Sequence, residues 1–297
     1  KRDNPDWIID DIEKKTGIIQ RWISKESTTA LDLAYESCIK LLNKFPKDKI
    51  DTLILVTQSS DYFLPTSACI LQDRLGLSKS TKCFDINLGC SGFTYGLSVA
   101  SSFIGAGFGD NVLLVCADTY SKYINKHDRT NRPIFSDAAS STLIVKSAQQ
   151  DIGPFLMGTD GSGYSHLIVK DGAAKSNYSL SDTGPSLDMN GSSVFMFTIS
   201  EVPNNINSLL DKSNIKRESV DKYVFHQASK IVLESLKKKL NIENNKFIYN
   251  SRYIGNTVSS SIPIALKEAC NSSEISEGDV VLISGFGVGL SWGSCLL

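Results

Sequence analysis

A cysteine, a histidine and an asparagine, widely separated along 297 residues, have the types and local settings for nucleophilic catalysis. Cys90 lies in Asn87-Leu88-Gly89-Cys90-Ser91-Gly92-Phe93, at the start of a segment with apolar Phe93, Leu97, Ala100 and Ile104 on one stripe. That stripe predicts a helix over 91–108. A free thiol ionises near ~8.5, and its anion is the effective nucleophile. A helix N-terminus favours the anion, so the Cys90 pKa is expected to fall toward ~7 or below. Gly89 and Gly92 on either side leave space for close approach. The remaining six of the seven cysteines have no metal-type spacing and read as small packed residues.

His226 is one of three histidines and follows the apolar run Tyr223-Val224-Phe225. A histidine at a strand end is placed to donate or accept a proton at a ligand site, and desolvation by the preceding strand should keep it neutral. His127 and His166 sit in polar contexts and read as solvated. Asn256, in Gly255-Asn256-Thr257-Val258-Ser259, would in isolation be a helix cap. With Cys90 and His226 it becomes the third member of a candidate site.

The elements that must carry these residues repeat. Residues 49–57 resemble residues 219–227 at an offset of 170, from Asp51 to Asp221; residues 109–115 resemble residues 278–284 at an offset of 169, from Asp110 to Asp279. Two pairs at nearly one offset predict a duplicated half of ~150 residues. Unbroken apolar runs at 53–57, 112–117, 223–225 and 280–283 predict strands buried on both faces, and 138–146 reads as a further strand. Helices are expected over 231–240, with three lysines near its C-terminus, and over 259–270, which corresponds to 91–108. The reading is therefore α/β, with an N-terminal half over 1–150 carrying the cysteine and a C-terminal half over 151–297 carrying the histidine and asparagine. Residues 173–187, rich in Ser, Asp and Gly, are expected to form a mobile loop.

Composition narrows the class. Hydrophobic residues are 41% and charged residues 21%, ordinary for a globular protein, and a net charge of −1 gives no basic field for nucleic acid. No apolar run approaches the ~18 residues of a membrane span. An odd count of scattered thiols fits a reducing, cytoplasmic setting.

Four motifs then carry a resemblance that spans most of the chain: Asp85-Ile86-Asn87-Leu88-Gly89-Cys90-Ser91-Gly92-Phe93, His226-Gln227-Ala228, Gly255-Asn256-Thr257 with Ser261-Ile262-Pro263, and Ser291-Trp292-Gly293-Ser294. In that order they resemble the β-ketoacyl-[acyl-carrier-protein] synthase III family. The resemblance implies the thiolase fold, a five-layered αβαβα arrangement of two duplicated halves, usually homodimeric. It implies transfer of an acyl group from acyl-CoA to Cys90, then decarboxylative Claisen condensation with malonyl-ACP or malonyl-CoA, in fatty acid biosynthesis. No permanently bound cofactor is implied, and the partners are acyl-CoA and acyl carrier protein. The backbone N–H groups of Cys90 and Val288 are the implied oxyanion hole. Arg129 matches a residue that helps bind the CoA nucleotide; Gly191, Phe195 and Ser229 match positions along the pantetheine tunnel; Leu64 matches the position that closes the acyl pocket across the dimer.

The sequence also departs from the family pattern. Ser229-Lys230-Ile231 follows His-Gln-Ala where Asn and then Arg are usual, which removes a contact to acyl carrier protein, with Lys237, Lys238 and Lys239 as other charge. Trp7 stands upstream of the adenine-stacking position, Lys15 takes an arginine's place, and Gly287-Val288-Gly289-Leu290 replaces a run of three glycines and phenylalanine. A strand expected before the Trp7 region is missing from the start. These departures predict a divergent branch handling a special acyl group. Other readings stay open on the residues: an acyltransferase passing the group from Cys90 to an amine or hydroxyl, with His226 as base; a papain-like hydrolase, which shares the Cys, His, Asn order but lacks its local signature here; and a non-catalytic subunit, which would have lost the nucleophile.

Overall fold

The computed structural model describes residues 4–149, 151–170, 172–175 and 186–297. Most of the stretch expected as a mobile loop, residues 176–185, lies outside the described residues.

The apolar runs form the middle of two four-stranded sheets. The first contains β1 (Thr52–Val56), β2 (Lys82–Ile86), β3 (Asn111–Asp118) and β4 (Ala138–Val145) in the order β2-β1-β3-β4. β5 (Phe155–Thr159) begins the second half of the chain, and a two-stranded ribbon of β6 (Leu167–Val169) and β7 (Leu187–Met189) follows it. β8 (Lys222–Phe225), β9 (Val281–Gly287) and β10 (Ser291–Leu296) complete the second sheet in the order β5-β10-β9-β8. The helices are α1 (Ile9–Thr16), α2 (Ala30–Leu42), α3 (Ser67–Leu75), α4 (Gly92–Gly105), α5 (Gly191–Ser213), α6 (Lys230–Lys239), α7 (Ser251–Ile254) and α8 (Ser261–Asn271).

The repeat read from the sequence is a repeat of pairing. β1 runs parallel to β3, which runs antiparallel to β4; β8 runs parallel to β9, which runs antiparallel to β10. Thr52 faces Val112 in one sheet and Lys222 faces Val281 in the other, reproducing the offsets of 170 and 169.

Alternation along the strands builds the five layers, because successive side chains point to opposite faces. Ile54, Val56 and Leu114 of the first sheet and Val224 and Ile283 of the second point inward onto Phe93, Leu97 and Ala100 of α4 and Ile262 and Ala265 of α8. Leu53, Leu55, Leu113 and Val115 point outward onto α2 and α3. Tyr223, Phe225 and Leu282 point outward onto α5 and α6. The result is helix, sheet, central helix pair, sheet, helix, as the resemblance implies. Among the described residues, no helix is long and apolar enough to cross a membrane.

Candidate active site

Cys90 is delivered by β2 and the turn that follows it. Gly92 donates its N–H to the Gly89 carbonyl at 2.8 Å, and α4 starts there. The helix is shorter than expected, ending at Gly105 instead of running to 108. Its first turn lies tightly against both sheets. A Cβ on Gly92 would stand 2.3 Å from Val56 Cγ1, and one on Gly285 would stand 2.8 Å from the Cys90 carbonyl oxygen. A Cβ on Gly287 would stand 2.8 Å from Cys90 Cβ and 2.9 Å from its sulfur, so β9 can pass the nucleophile only with glycine at these points.

The same strand holds the histidine. His226 donates its backbone N–H to the Ser284 carbonyl at 2.8 Å, and its ring packs edge-on to Phe286 at 5.6 Å between centroids. Gln227 ties down the loop after it: its side-chain amide donates to the Phe225 carbonyl at 2.8 Å and its Oε1 accepts from Asn250 N–H at 3.0 Å. The imidazole is therefore fixed against the residue that precedes Gly287, whose Cα faces the sulfur.

Asn256 is stitched to the first half. Its N–H donates to the Ile134 carbonyl at 2.9 Å, and its carbonyl accepts from Ser136 N–H at 2.8 Å. Gly255 makes this approach possible: its φ is +76° and ψ −170°, and a Cβ would stand 2.5 Å from Ser136 Oγ. Val258 N–H donates to Asn256 Oδ1 at 2.9 Å, which fixes the amide and turns Nδ2 toward His226 Nε2, 3.4 Å away. Cys90, His226 and Asn256 are 5%, 2% and 4% exposed. Val258 shares one apolar cluster with Cys90 and Val288. The structure thus gathers the three residues at the meeting of α4, β9 and the loop before α8.

Electrostatics differ from the sequence expectation in one respect. Burial, and then the neighbouring Asp118, push the Cys90 thiol from 9.0 up to about 12, against the backbone N–H groups of Cys90 and Val288, which hydrogen-bond to the sulfur. Desolvation at this depth outweighs the helix terminus. The same burial lowers His226 from 6.5 to about 3, as expected in direction, with the backbone at Val258 pulling the other way. On its far side, His226 Nδ1 lies 2.7 Å from Ser261 Oγ, and that oxygen accepts from Gln227 N–H at 3.4 Å.

The softer sequence candidates divide. Arg129 and Ser229 line an outer cavity of about 500 Å³ together with Trp7, Ile12, Lys15 and Ile231. Trp7, displaced in sequence, still reaches this cavity, because residues 4–8 lead into α1 along its wall. Phe195 is half-buried and Gly191 exposed at the start of α5. Leu64 is 82% exposed and lies outside the apolar cluster that holds Cys90. Among the other cysteines, Cys69 and Cys270 are exposed and not packed.

Sequence reasoning missed Asp118. At the end of β3 it accepts from Ser259 Oγ at 2.5 Å and from Gln58 N–H at 2.8 Å, locking the Asn256 loop to the first sheet. Burial pushes its carboxyl up to about 7. It also missed Tyr120 and Gln58, and it quoted Ser261 within a motif without giving it a role; an acid closing an apolar run was the one available signal, and it pointed only to Asp118.

Comparison with known proteins gives the family of the chain. Residues 84–161 match the family model described as 3-oxoacyl-[acyl-carrier-protein (ACP)] synthase III, and residues 210–297 match the model of its C-terminal part. The chain is 38% identical over 300 residues to a beta-ketoacyl-[acyl-carrier-protein] synthase III of Clostridium perfringens, covering 96% of this chain and 89% of that protein. It superposes with a TM-score of 0.95 on a crystal structure of a 3-oxoacyl-(acyl-carrier-protein) synthase III, at 41% identity and with 99% and 92% of the two chains covered. A 3-oxoacyl-(acyl-carrier protein) synthase from Burkholderia xenovorans LB400 gives 0.93 at 33% identity, covering 100% of this chain and 87% of that one. With a relative this similar across nearly its whole length, the chain belongs to the 3-oxoacyl-[acyl-carrier-protein] synthase III family of condensing acyltransferases.

Proposed function

We propose that Cys90 carries the acyl group and that His226 and Asn256 hold the enolate oxygen of a malonyl thioester. In the first step the Cys90 sulfur attacks the carbonyl of an acyl-CoA. The carbonyl carbon's bond to CoA breaks, and the thiol proton leaves with CoA as its free thiol. Backbone N–H groups of Cys90 and Val288 stabilise the tetrahedral oxyanion. In the second step the malonyl thioester loses carbon dioxide, and the electron pair passes to its thioester oxygen. The resulting carbon nucleophile attacks the acyl-Cys90 carbonyl, the carbon–sulfur bond to Cys90 breaks, and the departing sulfur takes a proton from solvent to restore the thiol.

The observation that carries this reading is the 3.4 Å separation of His226 Nε2 and Asn256 Nδ2, with the His226 ring packed on Phe286, next in β9 to the Gly287 that lies against the Cys90 sulfur. That distance is long for a hydrogen bond between the two, and suits two donors converging on one acceptor oxygen. For this His226 must bear its proton on Nε2. Ser261 supports that tautomer: its oxygen takes the Gln227 N–H and its own proton is then directed to Nδ1. An imidazole lowered to about 3 is a poor base at neutral pH, which argues against transfer to an amine or hydroxyl with His226 taking the proton.

The outer cavity suits the thioester arm, with Arg129 near the nucleotide and Ser229, Gly191 and Phe195 along the pantetheine. We place the second subunit of a homodimer against exposed Tyr62 and Leu64, next to the outermost strand β2. Acyl carrier protein is the proposed malonyl carrier, residue 150 the approximate boundary of the halves, and the cytoplasm the proposed setting, which the free thiols suit. Intact-mass measurement tests the core of this reading. Acyl-CoA should add one acyl mass to the wild type and none to Cys90→Ala, and malonyl-ACP should then discharge it as a 3-oxoacyl product. Loss of the adduct without that product, or labelling of Cys90→Ala, would refute it.

A further inference from the structure

We infer that Asp6 and Asp11 cancel the attraction of the outer cavity for the phosphates of CoA, so that the preferred acyl donor is a thioester on protein-bound phosphopantetheine. The inference rests on the reading of that cavity as the site of the thioester arm and goes beyond it by assigning the carrier class. Acyl-CoA remains able to load Cys90; the two acids decide which carrier loads it faster.

Among the described residues, the cavity of about 500 Å³ is lined by two acids, Asp6 and Asp11, and two cations, Lys15 and Arg129, all of them exposed. Asp11 and Lys15 are four residues apart on α1, so they share one face of the helix, and that face is turned to the cavity. Asp6 stands on the same wall, in the segment that leads into α1. The formal charge of the lining therefore sums to zero. A cleft lined by one sign focuses its field on a ligand of the other sign. Charges of both signs side by side cancel over a short distance, and salt screens what is left beyond ~8–10 Å. Lys15 is moreover a compact point charge, without the planar fork that grips a phosphate at two points. The several phosphates of CoA are well hydrated in water and gain little by entering such a cavity. A protein-borne arm brings a single phosphodiester and loses little there.

Positive charge stands instead beside the cavity. Ser229 and Ile231, at the start of α6, line it, and Lys230 between them is exposed. The stem of Lys230 packs over the end of α1, where a Cβ on Gly17 would lie 2.5 Å from Lys230 Cβ. Lys238 and Lys239 are exposed at the far end of the same ten-residue helix, while Lys237 pairs with Glu234 at 2.7 Å. Such a helix is ~15 Å long, so its cations are spread over a surface that one nucleotide in the cavity does not cover. They suit the acidic face of a carrier protein, since rim charges of this kind steer a partner and fix its register. The favourable electrostatics thus lie where a macromolecular carrier would dock, and the neutral wall lies where its arm would enter.

The test follows Cys90 acylation by intact mass, at donor concentrations below saturation, with acetyl-CoA, acetyl-pantetheine and acetyl-loaded acyl carrier protein. The wild type should load from the carrier protein at least about tenfold faster than from acetyl-CoA. Its rate with acetyl-CoA should change little between about 0.05 and 0.5 M salt, as a neutral cavity requires. Asp6→Asn combined with Asp11→Asn leaves Lys15 and Arg129 unopposed. One unit charge ~4 Å from another in water shifts an equilibrium by about fivefold. The double variant should therefore raise the ratio of acetyl-CoA to acetyl-pantetheine rates by about tenfold, and high salt should abolish the gain. Both positions are exposed, and the wild-type comparison stands without the variant. Acetyl-CoA outpacing the carrier protein in the wild type, or an unchanged ratio in the double variant, overturns the inference and leaves the reading of Cys90 as acyl carrier standing. No adduct from any donor overturns both.

Discussion

Replacing His226 with alanine should tilt the pH dependence of stability, because two buried groups of this site titrate in opposite senses. Burial lowers His226 from 6.5 to about 3, so between those values the unfolded chain holds a proton that the folded protein refuses. Stability from this residue is complete above pH 6.5 and is lost as pH falls toward 3. Burial raises Asp118 from 3.8 to about 7, so in that window the folded protein keeps a proton that the unfolded chain has released. Its contribution is complete below 3.8 and is lost as pH rises toward 7. Each group changes stability by about 1.4 kcal/mol per pH unit where its two states differ in protonation. From about pH 4 to 6.5 the two slopes nearly cancel in the wild type. In His226→Ala only the Asp118 slope remains. The variant should lose about 3 kcal/mol relative to wild type across that range as pH rises. Asp118→Asn should do the reverse, gaining relative to wild type by a similar amount. Urea unfolding of the three proteins at about pH 4.5, 5.5 and 6.5 measures the differences, and groups common to all three drop out. Parallel curves for wild type and His226→Ala would show that His226 is not held neutral by burial.

Three further outcomes follow from the same geometry. Ser261→Ala removes the hydroxyl 2.7 Å from His226 Nδ1 and should slow condensation about tenfold, equivalent to about 1.4 kcal/mol, with Cys90 acylation unchanged; single-turnover rates of the two half-reactions separate these, and equal losses in both would count against a role through the tautomer. Gly287→Ala would put a methyl 2.9 Å from the Cys90 sulfur, so acylation should fall more than about 100-fold and stability by about 1–3 kcal/mol; near-normal adduct formation by mass would refute it. Leu64→Asp should leave the chain monomeric in sedimentation velocity, since a charge cannot be buried unpaired at the interface proposed for this 82% exposed leucine; an unchanged dimer would move the interface elsewhere.

The sequence made the fold's centre legible because buried strands announce themselves. Leu53 to Val56 and Val112 to Ala117 are apolar without interruption, as strands covered on both faces must be, and their copies recur near one offset. Cys90, His226 and Asn256 stood out as candidates from residue type and motif. Helix α5 was not: Pro203 lies inside it, and a proline in mid-pattern reads as a break. The supporting residues were hidden for a different reason. Tyr120, Gln58, Asp118 and Ser261 come to Cys90 and His226 from the ends of three separate segments, Asp118 and Tyr120 both from the end of β3, and periodicity encodes which face of an element is buried, never which ends converge. The Cys90 thiol was misjudged on the same ground. A helix terminus is visible in sequence, but the depth at which five layers bury it is a property of the whole chain.

That depth bears directly on how the site works. A thiol raised to about 12 and an imidazole lowered to about 3 leave both groups uncharged near neutrality. Charge then arises at the two carbonyl oxygens of the reacting thioesters, and only as bonds rearrange. Four N–H donors surround those positions on the proposed reading, two from the backbone at Cys90 and Val288 and two from the side chains of His226 and Asn256. In a dry site each acts at low effective dielectric, where a donor is worth more than in water. Burial that disfavours a resting thiolate also strengthens the hydrogen bonds to a transient oxyanion. The helix terminus at Cys90 need not ionise the thiol in advance; it has to favour negative charge during attack. The energy of the site is thereby directed at the transition state and not at a charged ground state.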